Sequence, residues 1–369
     1  MSKLLKIFGV LLLMVCISGA LVFAGGEKET PAAGKAGGEL AGVKIGFVNA
    51  GPDDYYAQFG NTFKAIAETY GMVVTELNSD YKPEKELANV QDLIAKGVKA
   101  IAVITAGAAG SKASIEAANR AKVPIFFIAG KPEITPGTDL TGHVTDNFVI
   151  MGYQVGKWII DNVKDPVVVN IPGFLGQGPA EGEIVGFNLA FAEAKLPEPY
   201  LTKSSEWQRT LAIPIAQDLV ASGRKFNAIF ACNEETAAGI LTVFDELNVK
   251  GVTMVSCNGK EEAWAWLKSG QLAATSPNPP SLNADLCVQQ IVRQLTGKPF
   301  VKYLQIMPWD VLTKNNLDKA IPWITKDYLT GRAANKFQWS LEFYEKQYEA
   351  NKNLFVDFDK KLADYMATH

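Results

Sequence analysis

Asn49, Asp53, Tyr55, Tyr56, Thr105, Phe174, Glu183, Trp207, Asn233, Asn258 and Asn278 all follow, within a few residues or at the next turn, short runs of apolar and β-branched residues. If those runs are strands of open parallel sheets, these residues gather at the carboxyl ends, where such sheets bind ligands. Amides offer donors and acceptors together. Aromatic faces suit the C–H face of a sugar ring. The set suits holding a hydroxylated molecule better than transforming it. The chain has only two histidines, His143 and the terminal His369. A multi-histidine metal site is therefore excluded and a histidine-dependent triad is disfavoured, while carboxylate and lysine chemistry stay open. No cofactor and no metal is required.

Each candidate has a second reading. Asp53 and Asp54 equally suit the N-cap of the helix that follows, as do Asn233 and Asn258 for theirs. Tyr55 and Tyr56 are adjacent, so on a helix they project about 100° apart and one of them is expected to reach a cleft. Thr105 fits turn backbone, and Phe174 fits loop packing. Trp207 follows the polar run Ser204-Ser205-Glu206, which favours a cleft over a core. The stretch from Gly173 to Pro179 invites a dinucleotide reading, but the glycine spacing fails at Glu181, whose charge would repel a pyrophosphate. It reads as a mobile loop at a cleft.

The elements that must position these residues alternate. Val43–Val48 reads as a strand. Phe59, Phe63, Ile66, Ala67 and Tyr70 follow at helical spacing and stop at Gly71. Strands at 72–77, 100–104 and 125–128 then alternate with helices at 83–96 and 111–121. Pro83 suits a first turn and Gly97 a stop. The rhythm restarts after His143, with Asp146 or Asn147 capping a helix through Val163. Strands follow at 167–171, 200–204, 228–231, 252–256 and 272–275, with helices at 181–194, 210–221, 234–247 and 260–268 between them. Such alternation predicts parallel sheets covered by helices on both faces. The fold class is thus α/β, with two doubly wound lobes in tandem and a boundary near 145. Beyond a helix at about 282–296 and an extended stretch at 301–307, residues 317–366 read as a helical tail. Its stripe of Trp323, Phe337, Trp339, Phe343, Tyr344 and Tyr348 is expected to be core against a lobe.

Lys3 and Lys6 precede an apolar run from Ile7 to Ala24 that ends Val22-Phe23-Ala24, the pattern of a cleaved secretory signal. The run is also just long enough to span a bilayer. Lipidation at Cys16 is disfavoured because Val15 stands where a small residue is expected. Residues 25–42 hold six Gly, four Ala and one Pro, so they read as a flexible tether without a core. Cys232, Cys257 and Cys287 remain after cleavage, an odd count that leaves a free thiol. A Cys232–Cys257 disulfide is open, but buried inert thiols are favoured. The net charge of −3, with no basic stripe, excludes a nucleic-acid partner.

Three stretches carry a resemblance: Lys85–Ile94 (KELANVQDLI), Ala228–Glu235 (AIFACNEE) and Leu272–Thr275 (LAAT). Together they resemble the ribose-binding-protein family, the type I periplasmic sugar-binding proteins of ABC importers, over roughly 43–315. The resemblance implies two lobes joined by a multi-strand hinge with three crossings. It divides the chain into a leader (1–24), a tether (25–42), a first lobe (43–145 with about 277–308), a second lobe (146–276 with about 309–316) and a helical extension (317–369). It implies sugar contacts for Asn49, Asp53, Tyr55 and Tyr56, an aromatic contact for Trp207, and amide contacts for Asn233 and, beside the hinge, Asn278. Asn258 stands where such binders usually have Asp. Ala129-Gly130 replaces the usual Asp-Arg pair, and Glu181 or Glu183 replaces an expected Arg. These departures argue against a simple pentose of the usual kind.

The resulting expectation is a periplasmic or otherwise extracytoplasmic solute-binding subunit. It takes a small neutral sugar or polyol and delivers it to the membrane permease of an ABC importer. A nucleoside or signalling-sugar binder that feeds a chemoreceptor is the variant. The rival class is a secreted carbohydrate-active enzyme using carboxylates such as Asp53 and Glu183. A transcription regulator is disfavoured by the leader and by the lack of a basic helix-turn-helix segment before 43.

Overall fold

The computed structural model describes residues 38–176, 178–306 and 310–368. The expected leader with Cys16, most of the tether, Gln177 and Met307 lie outside the described residues. Alternation runs through the whole body. In the first half, β1 (Lys44–Asn49), α1 (Asp54–Thr69), β2 (Val73–Asn78), α2 (Pro83–Ala95), β3 (Ile101–Val103), α3 (Ala108–Ala121), β4 (Ile125–Ile128) and β5 (Gly142–Thr145) follow in turn. The second half comprises α4 (Phe148–Asn162), β6 (Val168–Ile171), α5 (Pro179–Glu193), β7 (Tyr200–Leu201), α6 (Arg209–Ala221), β8 (Ala228–Ala231), α7 (Glu234–Glu246), β9 (Thr253–Asn258), α8 (Glu261–Ser269) and β10 (Ala274–Pro277). Then come α9 (Pro280–Leu295), β11 (Tyr303–Gln305), α10 (Thr325–Ala333), α11 (Leu341–Ala350) and α12 (Lys352–Met366).

The strands form two sheets, ordered β11-β5-β4-β3-β1-β2 and β10-β9-β8-β6-β7. Every pairing between them is parallel. Successive side chains of a strand point to opposite faces, so each sheet has two cores. In the first lobe Phe47, Ala102 and Phe126 join α1 and α9, while Val48, Ile101 and Phe127 join α2 and α3. In the second lobe Ile229 and Met254 meet α6, α7 and α8, while Phe230 and Val255 meet α4 and α5.

The chain passes between the sheets after β5 and again after β10, and α9 and β11 return to the first lobe. It then leaves β11, and Leu312 pairs with Thr275 beside β10. The crossings are pinned by Asn283, whose Nδ2 donates to Asp146 Oδ2 at 2.7 Å and to the Pro279 carbonyl at 3.2 Å.

Two local expectations need correction. Leu40, inside the supposed tether, is buried in the first-lobe core. β7 is two residues long, not five, and beyond it Ser204 Oγ donates to Gly173 O. The tail is helical, as expected, and is built of three helices: Asn335 takes a left-handed φ of 49° and Ser340 caps a new start. Cys232 and Cys257 are free buried thiols, the reading the sequence favoured.

α4 and α5 approach until their backbones touch. A Cβ on Gly186 would lie 1.8 Å from Val149 O, and one on Gly152 would lie 2.0 Å from Glu183 O. Backbone cannot move aside as a flexible side chain can. Gly186→Ala should lower the free energy of urea unfolding by about 1–3 kcal/mol, as overpacked cores do. Unchanged stability would show that the two helices slide apart without cost.

Candidate functional site

Both sheets reverse winding direction at an inner pair, β1/β3 in the first and β6/β8 in the second. Such switch points open a crevice at the carboxyl ends of the strands. Here the two crevices share one cavity of about 700 Å³, lined from both lobes. That size is within the range of small-molecule sites.

The first lobe supplies Pro52 to Tyr56 after β1, Tyr81 after β2, Thr105 after β3 and Ala129-Gly130 after β4. Asp53 is the N-cap of α1: its Oδ1 accepts from Tyr56 N, and its Oδ2 accepts from the Tyr81 hydroxyl. Burial raises its carboxyl above the ordinary range. Tyr55 sits edge-on to Tyr56, Phe59 and Trp323, with ring centroids 5.1–5.3 Å away. Thr105 faces inward to its own loop. Its Oγ1 lies 3.0 Å from Glu86 Oε2 and 2.8 Å from Gly107 O.

The second lobe supplies Phe148, Phe174, Glu183, Trp207, Asn233, Asn258 and Lys260. Trp207 lies flat on Gly173, where an added Cβ would stand 2.3 Å from the indole. Trp207 has φ of 64°, and its carbonyl accepts from Asn233 Nδ2 at 3.2 Å. Asn233 is also the N-cap of α7, with Oδ1 accepting from Thr236 N at 2.8 Å. Its cap role and its place at the cavity coexist. Asn258 ends β9 with φ of 99° and is not a cap; Lys260 is the N-cap of α8. The Asn258 carboxamide has no hydrogen-bond partner among the described residues. Asn278, on the hinge side, donates to the Tyr55 hydroxyl at 2.9 Å and so ties the crossing to α1.

The cations of the cavity are compensated. Lys260 contacts Asp54 and Glu235, each at 3.0 Å, and the Asp54 contact spans the two lobes. Arg209 contacts Glu235 and Glu262, each at 3.0 Å. Both cations of the lining are thus ion-paired. Glu234 Oε1 accepts from Gly259 N, Ser256 Oγ and Thr275 Oγ1, at 2.8, 3.1 and 2.7 Å. Burial nonetheless pushes its carboxyl up to about 7. Burial, and then the neighbouring Glu234, hold Glu183 well above the ordinary range.

Ten of the eleven residues picked from the sequence line the cavity, and both tyrosines reach it rather than one. Asn49 does not. Its Nδ2 donates to Tyr56 O at 2.8 Å and to Glu76 Oε1 at 2.9 Å, so it braces the loop from behind. Glu183 reaches the wall, but its Oε2 is closed to solvent. The sequence reading missed Tyr81, Phe148, Lys260 and Trp323 as lining residues. Tyr81 follows β2, so the same carboxyl-end rule could have found it. Trp323 is buried, as expected of a core residue, and also lines the cavity, where its Nε1 donates to Asn258 O at 3.0 Å.

Comparison with known proteins agrees with this geometry. The sequence profile of the periplasmic binding protein domain matches residues 45–299. The ribose import binding protein of Salmonella typhimurium is 28% identical over 210 residues, covering 57% of this chain and 70% of that protein. The xylitol-binding protein of Mycolicibacterium smegmatis is 28% identical over 265 residues, covering 70% and 72%. Among solved structures, the arabinose-transporter binding protein of Shewanella sp. ANA-3, bound to L-arabinofuranose, superposes with a TM-score of 0.68 at 21% identity. It covers 79% of this chain and 97% of that one. A Bacillus halodurans solute-binding protein with bound myo-inositol gives 0.69 at 18% identity, covering 76% and 98%. At those identities the structures speak for the fold alone.

Glu234 makes stability depend on pH. Its folded value of about 7 exceeds the ordinary 4.5. The group's contribution is therefore full below about 4.5 and is lost as pH rises through about 7. Urea unfolding should give a stability at pH 8 that is about 2 kcal/mol below that at pH 5 for this group, and Glu234→Gln should shrink the difference. A variant with the wild-type pH profile would remove Glu234 as its source.

Proposed function

The chain belongs to the periplasmic binding protein family, and from that premise we propose that it is the extracytoplasmic solute-binding subunit of an ABC importer. Its ligand is a small neutral hydroxylated molecule, a sugar or sugar alcohol, held between the lobes. One observation carries the reading: the cavity combines aromatic faces from both lobes with two cations that are already ion-paired. Rings cover the apolar face of a polyol. No unpaired cation of the lining waits for a phosphate or a carboxylate, so a sugar should bind more tightly than its phosphate.

Binding would draw the lobes together by rotation about the crossings, and the closed form is what the permease would receive. The enzyme alternative needs two carboxyls presented to one bond. Glu183 is buried with one oxygen closed to solvent, and Asp53 is occupied as a helix cap. Export by the N-terminal segment, with Cys16 unacylated, belongs to the same proposal.

Native mass spectrometry of freshly purified protein, followed by calorimetry against sugars, polyols, nucleosides and sugar phosphates, tests the proposal. One intact sugar or polyol should bind without turnover. A preference for a phosphate, or conversion of the ligand, would overturn it. Gly173→Ala should displace the indole that rests there and lower affinity for that ligand by about ten-fold, equivalent to 1.4 kcal/mol. Trp207→Ala should do at least as much while costing little stability. Easy urea unfolding of Trp207→Ala would instead make the ring a core element.

A further inference from the structure

The extension after β11 does more than cover one lobe. Leu317 and Ala320 lie against the second-lobe core, whereas Ile321 and Tyr328 are in the first-lobe core. Between them the chain crosses from lobe to lobe once more, beyond the three passages that follow β5, β10 and β11. This fourth crossing is bonded on both sides. Towards the second lobe, Trp323 Nε1 donates to Asn258 O at 3.0 Å and Ile324 N to Glu261 Oε1 at 2.9 Å. Towards the first lobe, Thr325 N donates to Gln58 Oε1 at 3.1 Å, and Thr325 Oγ1 lies 2.8 Å from Thr62 Oγ1.

The rest of the extension repeats the arrangement at larger scale. α10 and α11 are rooted in the first lobe. Tyr328 OH and Arg332 Nε both donate to the buried Asp285, at 2.9 and 2.7 Å, and Arg293 meets Glu345 at 2.7 Å. α12 then reaches the second lobe. The Phe358 ring sits edge-on to Tyr153 at 5.3 Å, and Lys361 pairs with Glu193 at 3.1 Å.

From these contacts we propose that the extension is a strap across the clamp, and that Trp323 is at once its bolt and a wall of the ligand cavity. Wide separation of the lobes breaks the Trp323–Asn258 and Ile324–Glu261 bonds and pulls α12 from Tyr153 and Glu193. The strap therefore limits opening even without ligand. The indole lines the same cavity as Tyr55 and Trp207, so a ligand that stacks there also tightens the crossing. The wall half of the proposal rests on the reading of the cavity as a sugar site; the strap half does not.

Pulsed electron resonance between spin labels at exposed Lys99 and Lys225, each replaced by Cys, reads the strap directly. The three native cysteines of the described residues are buried, and Cys16 is replaced by Ser, so labels go to the new thiols. Without ligand, the full chain should give one narrow distance distribution. Glu261→Ala, which removes the half-buried acceptor of Ile324 N, should broaden it towards longer distances, and Lys361→Ala combined with Phe358→Ala should do so independently. A distribution unchanged by both, or one already broad in the unaltered chain, would overturn the strap. For the wall, Trp323→Phe should weaken binding of the ligand found by mass spectrometry by less than about three-fold, and Trp323→Ala by about ten-fold or more. Equal, unaltered affinities would overturn the wall and leave the strap standing. Failure of every sugar and polyol to bind the unaltered chain would fall on the proposed function, since the distance measurement needs no ligand.

Discussion

Parallel pairing is the constraint on which this molecule depends. A parallel strand cannot be reached from its neighbour by a tight turn, so each connection must cross back over the sheet, here mostly as a helix. All strands of a sheet then end on the same edge. In both lobes those edges carry the loops that meet at the cavity. The cavity is thus a consequence of winding, and most side chains that line it are those that happen to follow strands. Asp53 and Asn233 illustrate the economy of this arrangement. Each caps the helix that begins there, and each is at the cavity because the helix begins there.

A loop edge also needs anchoring, because it ends in unpaired backbone. Each lobe solves this with one buried glutamate. Glu86 on α2 accepts from Ala106 N, Thr105 Oγ1 and Ser114 Oγ, at 2.7, 3.0 and 3.0 Å, and so fixes the loop after β3. Glu234 fixes the ends of β9 and β10 in the same way. In both cases the cost of burial outweighs these hydrogen bonds and lifts the carboxyl to about 7. Three donors on one acid hold a loop that many weaker contacts would leave loose, and stability at alkaline pH is what this arrangement gives up.

The lobes themselves are linked by more than connecting chain. Asp146, Asn278 and Asn283 form a polar knot at the first two crossings, and Lys260 bridges to Asp54 across the cavity. Trp323 joins an aromatic row with Tyr55 and Tyr56 on one wall, while Trp207 rests on Gly173 on the other lobe. Rings on both lobes and the ion pairing of Arg209 and Lys260 are the features on which the proposed neutral ligand rests.

The alternation of strands and helices, the restart near 145, the helix start at Pro83 and caps at Asp146 or Asn147 and at Asn233 were all legible in the sequence, because each depends on residues within one turn or one strand. The carboxyl-end rule alone found most of the cavity, since in a parallel sheet position along the chain fixes position on the edge. Other features waited for the tertiary structure, because they depend on what lies across a gap. Asn49 satisfies every local criterion for a contact, yet Glu76 on the neighbouring strand claims its amide. Trp323 has the helical spacing of a core residue, yet the chain that carries it crosses between lobes. Gly152 and Gly186 look like ordinary helix glycines until α4 and α5 are placed backbone to backbone. Sequence determined which elements exist and which edge they share; only folding decided which side chains remained free to meet a ligand, because hydrogen-bond partners distant in sequence compete for the same amides and rings.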